Sequence, residues 1–287
     1  MAEKLKGAPV SLALKEEIRD RVNALGQEGI VPALTILRVG EREDDLTYER
    51  GILKQAEACG VRAKVRVFPD TVSQEELILA LEGLNEDPAV HGVLLFCPLP
   101  GHLDERAVRK ALKPEKDIDG ITDASLFGVF AGREGGYPPC TPEACVRILK
   151  HYNIPLAGKR AVVVGRSLVV GRPLAMLLMA ENATVTICHT KTEDLPSVCR
   201  EADILIAAAG RKKILNASHV REGQVVLDVG IHAEEDGCLC GDVDFEEVFP
   251  RVFAITPVPG GVGTVTTSLL LLHVISAAEK SARLRTF

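Results

Sequence analysis

Short apolar runs alternate with amphipathic stretches of helical period along most of the chain. In the first half the runs are Pro32–Val39 and Val93–Phe96, with Arg62–Phe68 alternating basic and apolar residues as a strand does; in the second they are Ala161–Val164, Thr184–Cys188, Ile204–Ala208, Val225–Val229 and Val252–Thr256. Each is short, rich in Val, Ile and Leu, and bounded by glycine, proline or polar residues, which predicts strands. Between them the apolar positions recur every three to four residues. Leu14, Ile18, Val22 and Leu25 predict a helix capped by Ser11. Further helices are predicted over about 47–59, stopping at Gly60, and over 73–84, opened by the capping sequence Ser73-Gln74-Glu75-Glu76. Residues Glu41–Asp45 read as an acidic loop. Later helices are predicted over 173–181, 195–201, briefly near 217–220, and from about 264 to 280. Strands alternating with helices predict an α/β protein with parallel sheets, whose ligands bind beyond the carboxyl ends of the strands.

The proline-rich connection Pro138-Pro139-Cys140-Thr141-Pro142 predicts a domain boundary, with Thr141 as N-cap and Pro142 at the first position of the next helix. That divides the chain into a first α/β domain, 1–140, completed by the C-terminal helix 264–287, and a second domain, 141–263. In the second domain the β-branched run Val162-Val163-Val164 ends in Gly165. A short loop, Gly171 and Pro173 then open an apolar helical pattern. This is the strand, turn and helix layout of a Rossmann-type dinucleotide site, although Ser167 stands where G-x-G-x-x-G would place its second glycine. A second glycine-rich loop, Pro257-Val258-Pro259-Gly260-Gly261-Val262-Gly263, comes after the last strand. Its glycines let backbone approach a ligand closely, and its prolines stiffen the opening.

Composition narrows the function class. A chain of 287 residues has room for two domains, and 46% apolar with 26% charged residues is ordinary for a globular protein. A net charge of -6 gives no reason to expect a nucleic-acid partner. No apolar run approaches the ~20 residues of a membrane span, and the first residues lack the apolar core of a secretory signal. Eight scattered cysteines, several inside apolar runs, fit a reduced, cytoplasmic protein. Only Cys238-Leu239-Cys240 is close-set, with no second pair to complete a zinc site, so no metal is expected.

The end of the second strand of a dinucleotide fold discriminates between nucleotides, because a carboxylate there bonds the ribose hydroxyls of NAD. Here that strand ends in His189-Thr190-Lys191, with no carboxylate before Glu193, and Arg166 in the first turn adds a planar cation. The expected cofactor is therefore NADP, with NAD the less suited. Taken alone, Lys116 and Asp117 read as a surface ion pair, Tyr48 as a core or interface residue, and Asp119 as a turn former.

Together these stretches resemble the methylenetetrahydrofolate dehydrogenase/methenyltetrahydrofolate cyclohydrolase family. The resemblance is carried in order by Pro114-Glu115-Lys116-Asp117-Ile118-Asp119-Gly120, Pro139-Cys140-Thr141-Pro142, Val162 to Pro173, Gly241-Asp242-Val243-Asp244, and Ile255 to Gly263. It implies a cleft between two domains, a tetrahydrofolate derivative as substrate, and a homodimer joined through the cofactor domain. It also implies that Tyr48 stacks on the folate and Asp119 anchors the pterin. Gly165, Arg166, Ser167, Thr190 and Ile231 fall on the cofactor's contacts, and Pro259, Gly260 and Gly261 line the junction of folate and nicotinamide.

Two positions depart from the family pattern. Ile52 stands where the resemblance expects the lysine of the cyclohydrolase step, and Phe96 stands where it expects the glutamine that supports that lysine. A smaller departure is Thr264-Val265, where Pro-Met is usual. Lys54 lies two residues beyond Ile52, a rotation of about 200° on a helix, and so is expected to face away. Lysine and hydrogen-bonding partner have both become apolar, which leaves no half-satisfied polar group behind. The expected protein is an NADP-dependent dehydrogenase whose cyclohydrolase step is weak or lost. The alternatives are a fully bifunctional enzyme with a substitute for the lysine, a dehydrogenase for another substrate, and a non-catalytic folate- or nucleotide-binding protein.

Overall fold

A computed structural model describes residues 2–133, 135–234 and 237–285. Its strands are β1 (Glu3–Lys4), β2 (Ala33–Val39), β3 (Arg62–Phe68), β4 (Gly92–Leu95), β5 (Arg160–Val164), β6 (Thr184–Cys188), β7 (Ile204–Ala207), β8 (Val225–Asp228), β9 (His232–Ala233), β10 (Leu239–Cys240) and β11 (Ala254–Ile255). Its α-helices are α1 (Gly7–Gln27), α2 (Glu43–Ala58), α3 (Gln74–Glu86), α4 (Glu105–Ala111), α5 (Asp123–Ala131), α6 (Cys140–His151), α7 (Gly171–Ala180), α8 (Leu195–Arg200), α9 (Phe245–Val248) and α10 (Gly263–Arg285). The chain divides into two compact α/β units, one of Met1–Leu12 with Pro139–Thr266 and one of Ala13–Pro138 with Thr267–Phe287.

The first unit is a Rossmann-type domain built on a six-stranded sheet in the order β1-β11-β8-β7-β5-β6, every pair of which is parallel. After the exposed Arg160 that opens β5, β5 and β7 are buried and apolar, as strands covered on both faces must be. The chain leaves β5 for β6 on one side and returns to β7 on the other. That reversal opens a crevice at the carboxyl end of β5, where an open parallel sheet binds its ligand. Val162, Val164, Leu205, Val226, Ile255 and their neighbours form the unit's core. Residues 2–12, which the sequence pattern places in the other domain, supply β1 to the edge of this sheet.

The second unit holds a three-stranded parallel sheet, β3-β2-β4. β2 is central and buried at all seven positions. The same topological reversal occurs here, since the chain runs from β2 to β3 on one side and then to β4 on the other. Its crevice therefore lies between the carboxyl ends of β2 and β4, where α2 begins and where residues 96–101 leave β4.

Several boundaries differ from the periodic reading. α1 starts at Gly7 rather than Ser11, and Ser11 is buried inside it. Pro9 sits in its first turn, where the missing N–H has no intrahelical partner to lose. The acidic loop is in fact the first turn of α2, where Glu43, Asp44 and Asp45 face the positive end of the helix dipole. α6 begins at Cys140 with Pro139 as N-cap, so Thr141 is helical and does not cap. The last strand of the sheet is reduced to Ala254–Ile255. Among the described residues no helix is long and apolar enough to cross a membrane, and no cluster of three His, Cys, Asp or Glu could hold a metal ion.

Candidate active site

In the Rossmann-type unit, β5 feeds its turn into the crevice. Gly165 has φ +140°, and a Cβ there would stand 2.0 Å from the Ala208 carbonyl oxygen; one on Gly171 would stand 2.1 Å from the Gly165 carbonyl oxygen. Only glycine fits either place, and the turn is folded back tightly against the start of α7. The Ser167 Oγ accepts the Val170 N–H at 3.1 Å, which holds the loop's curve. Arg166 and Ser167 are exposed on that loop. At the end of β6, His189 N–H donates to Thr192 Oγ1 at 2.8 Å and Lys191 N–H to His189 Nδ1 at 3.1 Å. That turn leaves Thr190 and Lys191 in solvent, with Cys188 buried beneath. A glycine cradle, an exposed guanidinium and an exposed Thr-Lys turn on neighbouring strands suit a phosphorylated dinucleotide.

A pocket lies at the ends of β8 and β11 in the same unit. Ile231, Leu239, Pro259, Gly260 and Gly261 line it, with Asp228 at its base. Ile231 is 60% exposed there. Asp228 is buried beneath it and accepts the N–H groups of Gly230 at 3.0 Å, Asp242 at 2.9 Å and Val243 at 2.9 Å. Burial pushes its carboxyl up to about 6, against the pull of those three donors. Sequence reading found the glycines through the proline–glycine loop after the last strand and Ile231 through the family motif, but missed Asp228, whose position at the end of an apolar strand was the available signal.

In the other unit the expected residues gather at the switch between β2 and β4. Tyr48 stands on the second turn of α2, 40% exposed, and its ring stacks on Phe96 with centroids 5.7 Å apart. Ile52, one turn further along α2, is fully buried, while Lys54 is exposed. Phe96 is itself buried, and its N–H extends the β4 pairing by donating to the Leu37 carbonyl at 3.0 Å. Beyond it, burial pushes the Cys97 thiol up to about 11, with Arg109 pulling it down and Glu105 and Asp119 raising it. That places Asp119 by the same loop as Phe96 and makes Cys97 a poor nucleophile at neutral pH. Glu105 on α4 accepts the Leu99 N–H at 2.9 Å and pairs with Arg109 at 2.5 Å, so the helix grips the loop.

Two neighbours of these residues do other work. Asp117 is not half of a surface ion pair. It is fully buried, and it accepts the N–H groups of Ile121 and Thr122 at 3.0 and 2.8 Å and the Ser125 hydroxyl at 2.6 Å. Lys116 donates instead to the Leu84 and Asp87 carbonyls, each at 2.7 Å. Asp117 thus shapes the turn that carries Asp119. Arg38 and Glu49 form a nearly buried pair at 2.8 Å, and Arg38 also donates to the Gly40 carbonyl. This pair, invisible in the apolar pattern of β2, ties the residue after Tyr48 to the central strand.

The fold and the glycine cradle define a two-domain α/β protein with a Rossmann-type dinucleotide-binding domain. Residues 139–282 match the family model described as the tetrahydrofolate dehydrogenase/cyclohydrolase NAD(P)-binding domain, and residues 5–119 match the catalytic domain of the same description. The chain therefore belongs to the tetrahydrofolate dehydrogenase/cyclohydrolase family of enzymes. It is 54% identical to the bifunctional protein FolD of Carboxydothermus hydrogenoformans over 97% of this chain and 98% of that one. Among solved structures it is similar to the bifunctional methylenetetrahydrofolate dehydrogenase/cyclohydrolase FolD of Campylobacter jejuni, at 39% identity and TM-score 0.95 over 98% of this chain and 99% of that one. It is likewise similar to the Trypanosoma brucei enzyme complexed with NADP and an inhibitor, at 36% identity and TM-score 0.91 over 98% and 99%.

Proposed function

We propose that this enzyme oxidises methylenetetrahydrofolate to methenyltetrahydrofolate with NADP and hydrolyses the methenyl product weakly or not at all. NADP, when bound, accepts the hydride. The chain's part in that step is alignment, which by itself can supply several kcal/mol of rate enhancement. In this reading Gly165, Arg166, Ser167, Thr190 and Ile231 hold the cofactor, Tyr48 stacks on the folate, Asp119 anchors its pterin, and Pro259, Gly260 and Gly261 line the meeting point. The absence of a carboxylate between Cys188 and Glu193, together with exposed Arg166 and Lys191, supports NADP over NAD.

Hydrolysis has a different requirement. Water must add to the one-carbon bridge and a proton must reach a folate nitrogen, for which a positioned acid–base group contributes roughly a hundred- to ten-thousand-fold. The observation that carries the proposal is the apolar character of that position. Ile52 is buried and Phe96 stacks on Tyr48, where the family resemblance expects lysine and glutamine. Lys54, exposed on another face of α2, does not take the lysine's place. The family resemblance implies a homodimer joined through the dinucleotide-binding domain, and the scattered free cysteines suit a reduced, cytoplasmic protein.

A second reading, a fully bifunctional enzyme, is favoured by the names of its relatives. Purified protein assayed for both half-reactions, each with NADP and NAD, separates the two. The proposal expects NADP-dependent formation of the methenyl product, with hydrolysis of added methenyltetrahydrofolate within about tenfold of the uncatalysed rate, the result of losing the acid–base contribution. Hydrolysis as fast as oxidation establishes the bifunctional reading instead, and hydride transfer to neither nucleotide removes both.

A further inference from the structure

Ile231 is a large apolar side chain held in solvent, and the residue on either side of it is fastened to a buried carboxylate, Gly230 by its backbone and His232 by its ring. On one side the Gly230 N–H donates to Asp228 Oδ1 at 3.0 Å; on the other, His232 Nε2 lies 2.7 Å from Asp242 Oδ1. Asp242 is fully buried. Its Oδ2 accepts the Ala209 and Gly210 N–H groups at 2.6 and 2.9 Å, and its Oδ1 accepts the Arg211 N–H at 2.9 Å. The two carboxylates are themselves linked, because the Asp242 N–H donates to Asp228 Oδ1 at 2.9 Å. There is no slack in this arrangement. A Cβ on Gly230 would meet Asp242 Oδ1 at 2.4 Å, and one on Gly241 would meet Asp228 Oδ2 at 1.9 Å. With three amides already donating to it, Asp242 can only accept, so the proton of this bond sits on His232 Nε2.

The three amides that Asp242 gathers belong to the segment directly after β7. That segment forms the wall of the cofactor turn, since the Ala208 carbonyl is the group that leaves room only for glycine at 165. One imidazole thus bears on two parts of the dinucleotide site, the Ile231 side chain at the pocket and the 209–211 segment behind the glycine turn. We propose that His232 is a positioning residue for the bound dinucleotide, acting through Asp242 and touching neither cofactor nor substrate itself. Its side chain is mostly buried, at 18% exposure, and its Nε2 is committed to Asp242. The inference rests on the reading of this turn as an NADP site.

Two variants and two readouts test it. His232→Leu removes the donor; His232→Gln keeps an amide N–H at nearly the same reach. In NADP titrations the leucine variant is expected to bind about tenfold more weakly, the loss typical of one hydrogen bond to a charged group. The glutamine variant recovers most of that affinity, and the KM for the folate substrate stays within about twofold in both, since the bond lies on the cofactor side. In the cofactor-free protein, amide hydrogen exchange at Ala209–Arg211 quickens in the leucine variant and returns toward the parent rate in the glutamine variant. NADP affinity unchanged in His232→Leu overturns the proposal, as does equal weakening in both variants with unaltered exchange at 209–211. Failure of the parent protein to bind NADP overturns the dinucleotide reading instead, while the exchange data still decide whether His232 fixes that segment.

Discussion

The rings of Tyr48 and Phe96 stack with centroids 5.7 Å apart and planes inclined by 27°. This couples the second turn of α2 to the end of β4 across the switch point of the sheet. An aromatic pair of this kind contributes about 0.5–1.5 kcal/mol beyond its buried area. On the proposed reading, this pair and Ile52 occupy with carbon the place of the acid–base groups of the hydrolytic step.

Restoring both polar groups should therefore restore hydrolysis. The double variant Ile52→Lys with Phe96→Gln is expected to raise methenyltetrahydrofolate hydrolysis by roughly a hundredfold or more, the contribution of one placed acid–base group. Ile52→Lys alone puts an ammonium at a fully buried position without its partner, and it should both gain less and unfold more easily. Loss of the methenyl chromophore with time, with thermal melts alongside, reads both effects. A double variant that folds and hydrolyses no faster than its parent removes the explanation.

Arg166 projects from the glycine turn and Lys191 from the end of β6, on neighbouring strands. Arg166→Ala should raise the KM for NADP by about tenfold to a hundredfold, as for a lost charged hydrogen bond, and leave that for NAD nearly unchanged. Equal losses with both nucleotides would place Arg166 on a group the two share. Steady-state rates at saturating folate substrate distinguish the cases.

Asp228 predicts a dependence of stability on pH. Burial raises its carboxyl from 3.8 to about 6, so the folded protein holds this proton more tightly than the unfolded chain does. Stability from this group is fully present below about pH 4 and is lost as the pH rises through about 6, a change of about 3 kcal/mol. Asp228→Asn carries no titrating proton and should flatten that part of the profile, though it starts from lower stability because an amide offers one acceptor oxygen where the carboxylate offers two. Melting temperatures of both proteins between pH 4 and 7 show the difference in slope.

The Arg38–Glu49 pair makes a sharper claim about stability. Its side chains are 6% and 13% exposed. Arg38→Leu or Glu49→Leu leaves one charge stranded and should cost about 3–5 kcal/mol, whereas the two changes together should be nearly neutral. Urea unfolding of the three variants completes the double-mutant cycle. Additive losses would show that the pair does not interact as the geometry demands.

The two sheets are legible in the sequence because β2, β4, β5, β7 and β8 are short apolar runs buried along nearly their whole length, while the more exposed β3 shows as an alternation of basic and apolar residues. The two-residue strands β1, β9 and β10 are too short to carry a period, and β1 finds its partner β11 at the other end of the chain. Helix starts are read less well where a proline lies inside the first turn, as Pro9 does in α1 and Pro142 in α6. The glycine turns show in the local pattern of strand, turn and helix, whereas Tyr48 and Asp119 come from motif order, which spacing alone would not supply. Motif order says nothing about how the side chains are tied down. Asp117 reads as a surface charge because its partners, Thr122 and Ser125, become acceptable only once the turn has folded around it. His232 and Asp242 lie ten residues apart with no period to connect them, and only the packing of β9 against β10 brings the segments together.

Neither compact unit is one continuous stretch of polypeptide. The Rossmann-type unit begins with Met1–Leu12 and resumes at Pro139, and the other begins at Ala13 and resumes at Thr267. β1 pairs with β11 through Glu3 with Ala254 and Lys4 with Ile255, so the sheet's last edge closes only when almost the whole chain has been made. No single cut releases either unit complete, and no single crossover between genes can exchange one and keep the other. Two units interleaved in this way are inherited together, so a change in one is always tried against the other.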